Sequence, residues 1–319
     1  MDVLSDVLRL VDLTGGVFVD AEFTAPWCVS GKVAPELCQP YMVEPEYIVG
    51  FHCVMEGALI LTLDNSSSWH VRAGQLVMLP RNDLHVFGSA CGLASTGMGT
   101  LMQNPGVTGV ARIVHGGGGP RTRMVCGFLG GNAQLHTLLT SLPPVMTLEL
   151  AALPSGDWIE RTFAYAVQAL ADDDPGTATV MAKTSELLFV EAVRRYLAAL
   201  PCEEIGWLAG LRDPPIGRAL SLMHARLNED WTADALAREV NLSRSAFAEH
   251  FTALIGVPPM RYLLNWRMQV AMQKLRKSHR TIAEIAYEVG YQSEPAFTRA
   301  FRREFGLPPA TWRKRTTPE

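Results

Sequence analysis

The sequence predicts a two-domain α+β chain. A β-rich N-terminal domain of the closed or sandwiched kind carries a helical extension, and an all-α C-terminal domain holds two helix-turn-helix units. Three observations carry this. One pattern is written twice between Trp231 and Trp312. Short strand-like runs fill the chain to about Phe128, and helical spacing takes over beyond Asn132. The charge is split between the two ends: residues 213–319 hold 16 basic and 11 acidic side chains (+5), the remainder 12 and 21 (−9).

At the start, apolar residues at positions 3, 4, 7, 8 and 11 predict an amphipathic helix. This segment lacks the basic region and apolar core of a secretory signal, and no run is long enough to cross a membrane. A cytosolic protein with six reduced cysteines is therefore expected. From Val17 onward, Tyr47–Cys53, Ala58–Asp64, Leu76–Leu79 and Met124–Leu129 read as strands, with a turn over 64–68. The four glycines after His115 could cradle an anion with backbone N–H groups, or form a simple loop. Phe163, Val167 and Leu170 share one helical face. A second helix runs from near Pro175 to near Pro201, with Leu187, Leu188, Ala192 and Tyr196 on it, and serves either as packing on the β-domain or as a dimer surface. Cys202 to Pro215, with its glycines and prolines, reads as a linker.

Leu236 and Val240, then Ile285 and Val289, mark two short helices. Asn241 and Gly290 stand at the turns, where a left-handed backbone is wanted. Ser243 is placed as an N-cap, and Phe247/Phe251 and Phe297/Phe301 share inward faces of the second helices. Gly256 and Gly306, each followed by a proline pair, end them. A longer helix over 260–277 joins the units, so both can reach successive major grooves on one DNA face.

The paired Phe-x3-Phe-x4-Gly-x-Pro-Pro pattern, the Arg267-x3-Ala271 linker and the Ile285-Ala286-x2-Val289-Gly290-Tyr291 turn resemble the DNA-binding domain of AraC/XylS transcription regulators. Upstream, Gly74-x5-Pro80-x-Asn82-x2-His85 resembles the second motif of the cupin barrels, with Asn82 where cupins usually have Gly. His52-Cys53-Val54 stands where a metal-binding cupin has His-x-His. The resemblance implies a cupin-like β-barrel sensory domain over 1–130, a helical dimerisation and linker region over 131–215, and an AraC-type DNA-binding domain over 216–316. It also implies double-stranded DNA, RNA polymerase, a second copy of the chain, and a small-molecule or redox effector as partners.

With the two Phe pairs inward, Arg244, Ser245, Ala248, Glu249 and Thr252 of the first unit face DNA, as do Glu294, Pro295, Thr298, Arg299 and Arg302 of the second. Glu249 stands where the family commonly has Arg, which points to an unusual base at that step. His52 and His85 occupy cupin motif positions, and Cys126 lies on a later strand that can reach them. Arg121 and Arg123 nearby are expected to lower the Cys126 thiol pKa. The cupin-bearing subgroup of the family includes a sensor of reactive chlorine, which makes a redox-responsive regulator using Cys126 the alternative reading. Two imidazoles and a thiolate would also suit a borderline metal. With Val54 replacing the second His that ligand set is incomplete, so no metal, cofactor or enzymatic activity is assigned. A metal-dependent cupin enzyme is the remote alternative; no nucleophile elbow, dinucleotide fingerprint or Cys-x2-Cys pair is present.

Overall fold

A computed structural model of the protein describes every residue except 1, 12, 39–44, 64–66, 103–110, 132–134, 151–160, 163–164, 166–167, 169–175, 202–204 and 317–319. Its Cα positions divide into two compact units. One is Asp12–Ala199, and the other joins Met1–Val11 to Leu200–Glu319.

The first helix of the chain, α1 (Val3–Leu10), therefore belongs to the C-terminal unit, whereas the sequence reading grouped it with the sensory domain. Asp2 caps it by accepting from the Ser5 N–H at 2.9 Å. Its apolar face of Val3, Leu4, Val7 and Leu10 is buried, as the periodicity predicts.

In the Asp12–Ala199 unit the strands are β1 (Thr14–Thr24), β2 (Cys28–Gly31), β3 (Tyr47–Glu56), β4 (Ala58–Leu63), β5 (Ser67–Arg72), β6 (Gln75–Leu79), β7 (His85–Gly88) and β8 (Thr96–Gly97). A short helix α2 (Met98–Leu101) precedes β9 (Ala111–Gly116) and β10 (Arg121–Gly131). Helix α3 (Leu135–Thr140), strand β11 (Met146–Glu149) and helix α4 (Thr177–Ala199) complete it. The strands form a six-stranded sheet ordered β11-β6-β3-β10-β1-β9 and a five-stranded sheet ordered β5-β4-β7-β2-β8. Neither sheet closes on itself among the described residues, so the β-domain is a pair of sheets. Alternation sets the core: Leu59, Leu61 and Leu63 are buried while Ile60 and Thr62 on the other face are not.

The other face of the larger sheet is shaped by small residues. A Cβ on Gly127 would lie 2.1 Å from Phe51 Cζ, so the cross-strand Phe51 ring lies over this glycine. A Cβ on Gly15 would meet the Ala182 carbonyl of α4 at 3.3 Å. Leu188, Phe189, Ala192 and Val193 are buried along α4, so this helix packs as one of the two expected roles required.

Two stretches differ from the sequence reading. Met146–Glu149 was expected to be helical but pairs antiparallel with β6, Met146 opposite Met78. Its buried-exposed alternation spans only four residues, too few to register as a strand. The expected linker is helical in its described part: α5 (Trp207–Arg212) and α6 (Pro214–Ala225) flank Asp213, which caps α6 by accepting from the Ile216 N–H. Pro214 and Pro215 read as breakers, yet proline is well suited to a first helical turn. Phe163, Val167, Leu170 and Cys202 lie outside the described residues or side chains.

The C-terminal unit continues with α7 (Ala233–Glu239), α8 (Arg244–Ile255), α9 (Pro259–Lys277), α10 (Ile282–Glu288), α11 (Glu294–Phe305) and α12 (Pro309–Thr316). Helix α1 docks here. Gln273 on α9 donates from Nε2 to the Arg9 carbonyl at 3.0 Å, satisfying one of the free carbonyls of α1's last turn. Asp6 lies 3.8 Å from Nδ1 of His224 on α6. Tyr262 joins this knot: its hydroxyl accepts from Trp207 Nε1 at 3.0 Å and lies 2.9 Å from His224 Nε2. The His224 ring stacks on Trp266, centroids 3.9 Å apart.

Desolvation pushes His224 down to about 3 and raises Asp6, so the imidazole is neutral near pH 7. The unfolded chain takes up this proton below about pH 6.5 and the folded chain does not. Stability is thus fully present above pH 6.5 and is lost as pH falls toward 3. Urea denaturation at pH 7 and pH 5 should show a smaller loss for His224→Gln than for wild type. His52 and His85 contribute equally to both proteins, so an identical loss in the variant contradicts a neutral buried His224.

Candidate DNA interface and sensory site

Both helix-turn-helix units form as the repeat predicts. Thr232 and Ser243 cap α7 and α8, accepting from the Ala235 and Ala246 N–H groups. Thr281 and Glu284 form a reciprocal capping box on α10, and Ser293 caps α11. The turn residue Asn241 has φ 58° and Gly290 φ 83°, both left-handed. Gly256 and Gly306 are the left-handed C-caps of α8 and α11. Phe247, Phe251, Phe297 and Phe301 are fully buried. Phe297 and Phe301 pack with Met268, Ala271, Leu275, Ile285 and Val289, so the linker helix α9 supplies part of the second unit's core.

With the Phe pairs inward, the opposite faces of α8 and α11 are open. Arg244, Ser245 and Glu249 are exposed, and Ala248 and Thr252 half-buried. On α11 Glu294, Pro295, Arg299 and Arg302 are exposed and Thr298 half-buried. Thr252 Oγ1 donates to the Ala248 carbonyl at 2.7 Å, which turns the hydroxyl's proton inward and leaves its lone pairs outward.

One functional arrangement is only partly visible in sequence. Arg267 on α9 donates from Nε to the Leu227 carbonyl at 3.0 Å and from Nη2 to the Glu229 carbonyl at 2.6 Å. Its guanidinium also lies against Gly290, where a Cβ would sit 2.6 Å from Nη2. The turn glycine of the second unit is therefore needed twice, for its backbone conformation and for this approach. The Arg267-x3-Ala271 spacing marks the linker, but the carbonyls it binds carry no side-chain signal.

In the sensory unit, His52 on β3 pairs across the ladder with Cys126 on β10, and His52 Nδ1 lies 3.0 Å from Cys126 Sγ. His85 on β7 donates or accepts at Nδ1 only with the Asp83 carbonyl at 2.9 Å, which fixes it as the donor. The two imidazole centroids are 4.9 Å apart, with Phe87 edge-on to both. The three residues expected to converge do so across the two sheets. His52 Nε2 and His85 Nε2 are both buried and lack a hydrogen-bond partner.

The electrostatics differ from expectation. Arg121 pairs with Glu22 and Glu56, and Arg123 with Asp20, so neither guanidinium serves Cys126. Burial, then Asp20 and Cys53, push the Cys126 thiol up instead of down. Burial also holds His52 well below its ordinary range, and His85 is lowered by the same cause. All three groups are neutral near pH 7, which removes the activated thiolate that the sequence suggested. Nor do they fit a cupin metal. Val54, standing for the missing His, is buried in the apolar core. Among the described residues no group of three or more His, Cys, Asp or Glu side chains is placed to hold a metal ion.

Two further motifs resolve. Asn82, where cupins usually have Gly, has φ 53° and exchanges hydrogen bonds with the Val33 backbone through its side-chain amide. Asn keeps the left-handed turn and adds a tie to the segment after β2. The glycine loop is no anion cradle: the N–H groups of Gly117, Gly118 and Gly119 are taken by the Thr24 carbonyl, Thr24 Oγ1 and the Ala25 carbonyl.

Two helix-turn-helix units in one compact unit, and two β-sheets with a buried polar cluster in the other, define a DNA-binding transcription regulator with a separate β-domain. Residues 2–198 match a family model described as Cupin, and residues 236–315 one described as a helix-turn-helix domain. An AraC-like transcription regulator of Streptomyces antibioticus is 28% identical over 319 residues, 100% of each chain. The RCS-specific HTH-type transcriptional activator RclR of Escherichia coli is 26% identical over 318 residues, 99% of this chain and 98% of that one. An AraC-like regulator of Streptomyces lividans is 34% identical over 191 residues, but the alignment spans 60% of this chain and 62% of that one. Among solved structures, the DNA-binding domain of AdpA in complex with a target DNA is 29% identical. It covers 32% of this chain and 92% of that one at a TM-score of 0.31. The chain belongs to the AraC family of DNA-binding transcription regulators, with a cupin-type N-terminal domain.

Proposed function

We propose that the protein reads its operator through the outward faces of α8 and α11. Arg244, Ser245, Ala248, Glu249 and Thr252 contribute from the first unit, and Glu294, Pro295, Thr298, Arg299 and Arg302 from the second. The observation that supports this most directly is electrostatic. Arg244, Glu249, Arg299 and Arg302 are exposed and have no ion-pair partner among the described residues, while Arg238, Arg261 and Arg280 are paired with Asp234, Glu304 and Glu288. Unpaired charges on the outer face of a second helix are free to bind phosphate and base edges. Glu249 is suited to accept from a cytosine amino group, and it would be repelled by phosphate.

We infer that the controlling signal acts at His52, His85 and Cys126. Two buried imidazole nitrogens without a partner carry a desolvation cost that a small hydrogen-bonding molecule would relieve. This favours a polar organic effector over the redox reading through Cys126, whose thiol is buried and neutral. For the second copy of the chain, Val180 and Leu187 offer the surface: they lie seven residues apart on α4, exposed, on the side away from its buried residues. RNA polymerase as a partner follows from the activator role that the Escherichia coli relative's name states, and a cytoplasmic location from the DNA partner.

Two measurements test these readings. Titrating Arg302→Ala against operator DNA at several salt concentrations should flatten the log K against log[salt] slope by about one unit; an unchanged slope would falsify the phosphate assignment. In a reporter strain, Cys126→Ser should respond to hypochlorite and to peroxide as wild type does. Loss of either response in that variant alone restores Cys126 as a redox sensor and overturns the organic-effector reading.

A further inference from the structure

The two faces of β7 carry different chemistry. His85 and Phe87 are buried on the side of the polar cluster, and Val86 between them faces out. On that outer side a cleft of about 320 Å³ opens, lined among others by Ile60, Thr62, Ser68, Val86, Leu93 and Ser95. That volume lies at the lower end of small-ligand sites. Leu59, Leu61 and Leu63 are buried on the opposite face of β4, in the core between the sheets.

One wall of the cleft is held in place. The turn leaving β7 folds back over Gly88: a Cβ there would lie 3.0 Å from the Ala90 carbonyl and 3.3 Å from the Trp27 carbonyl, so a larger residue would push the turn away. The Ser89 N–H donates to the Trp27 carbonyl at 3.0 Å, and the Trp27 N–H to Ser89 Oγ at 3.1 Å, which fixes the turn to the start of β2. Gly92 then takes a left-handed conformation, φ 78°, just before Leu93, an exposed apolar residue of the lining. Strand register sets the floor. Thr62 is the cross-strand partner of Val86, and Ile60 of Gly88, so Ile60 and Val86 lie diagonally beside one hydroxyl. The described lining holds no charged residue. An ion entering it would lose water and meet no counter-charge, whereas an alcohol exchanges one hydrogen bond for another.

We propose that this cleft binds a small uncharged alcohol, with its apolar body on Ile60, Val86 and Leu93 and its hydroxyl at Thr62. The four residues of β7 carry Val86 on one face and His85 and Phe87 on the other, so an occupant of the cleft is felt at the imidazole pair through that strand. The site lies outside the space between the sheets. Binding here does not rest on reading the His52, His85 and Cys126 cluster as the point where the controlling signal acts.

The test is NMR of the full-length protein labelled at isoleucine, valine and leucine methyls, titrated with three probes of one skeleton: benzyl alcohol, benzoate and benzylamine. Near pH 7 these are uncharged, anionic and cationic. Benzyl alcohol is expected to shift the Ile60, Val86 and Leu93 methyl signals saturably, and the two charged probes to leave them in place. The imidazole C–H signals of His52 and His85 should follow the same saturation curve. Thr62→Val keeps the shape of the floor and removes its hydroxyl, so it should weaken benzyl alcohol binding roughly three- to tenfold, the worth of one neutral hydrogen bond. No saturable shift at the three methyls, or equal shifts with a charged probe, overturns the site. Thr62→Val that binds as wild type does overturns the hydroxyl assignment. Imidazole signals that stay fixed while the methyls saturate overturn transmission through β7. The comparison of probes on wild type needs no variant to fold.

Discussion

The relation between the two DNA-reading units depends on one guanidinium. Arg267 projects from the linker helix α9, donates to the Leu227 and Glu229 carbonyls in the turn between α6 and α7, and packs on the backbone of Gly290. It thus touches the entrance to the first unit, the helix between the units and the turn of the second. Burial lowers its pKa, but arginine remains charged, and two carbonyl acceptors satisfy the fork. A lysine could not bind both carbonyls in this planar geometry. The Phe247/Phe251 and Phe297/Phe301 pairs hold each unit together; Arg267 sets where one lies against the other.

Around that joint, charge is distributed by use. Arginines that support structure are paired, as Arg261 is with Glu304 and Arg280 with Glu288, while those on the outer faces of α8 and α11 are not. The sensory unit follows another logic. Its polar cluster is buried so deeply that His52, His85 and Cys126 are all held neutral, and the sheet arginines that looked able to activate the thiol are neutralised by carboxylates beside them. Helix α1 adds a covalent consequence. The N-terminal segment packs with the C-terminal unit, through Gln273, His224 and a buried apolar face, so the chain leaves that unit at Val11 and rejoins it at Leu200.

What could be read in advance follows from the range of the interactions involved. Caps, turn conformations and the period of buried phenylalanines are local, and Ser243, Asn241, Gly306 and the Phe pairs all act as their spacing predicts. The convergence of His52, His85 and Cys126 was legible because three motifs happened to mark one core. The sign of the Cys126 shift was not, since it is set first by burial of the thiol and then by Asp20 and Cys53, while the nearby arginines are taken up by Glu22, Glu56 and Asp20 on neighbouring strands. The amphipathic pattern of α1 was visible, but its partners lie more than 200 residues away.

Two units held by Arg267 are proposed to read one face of DNA together. Guanine methylation protection on an operator selected from random sequence tests it most directly. Two clusters of protected major-groove guanines about one helical turn, roughly 10 base pairs, apart on the same face are expected. A single cluster, or two clusters on opposite faces, would contradict it.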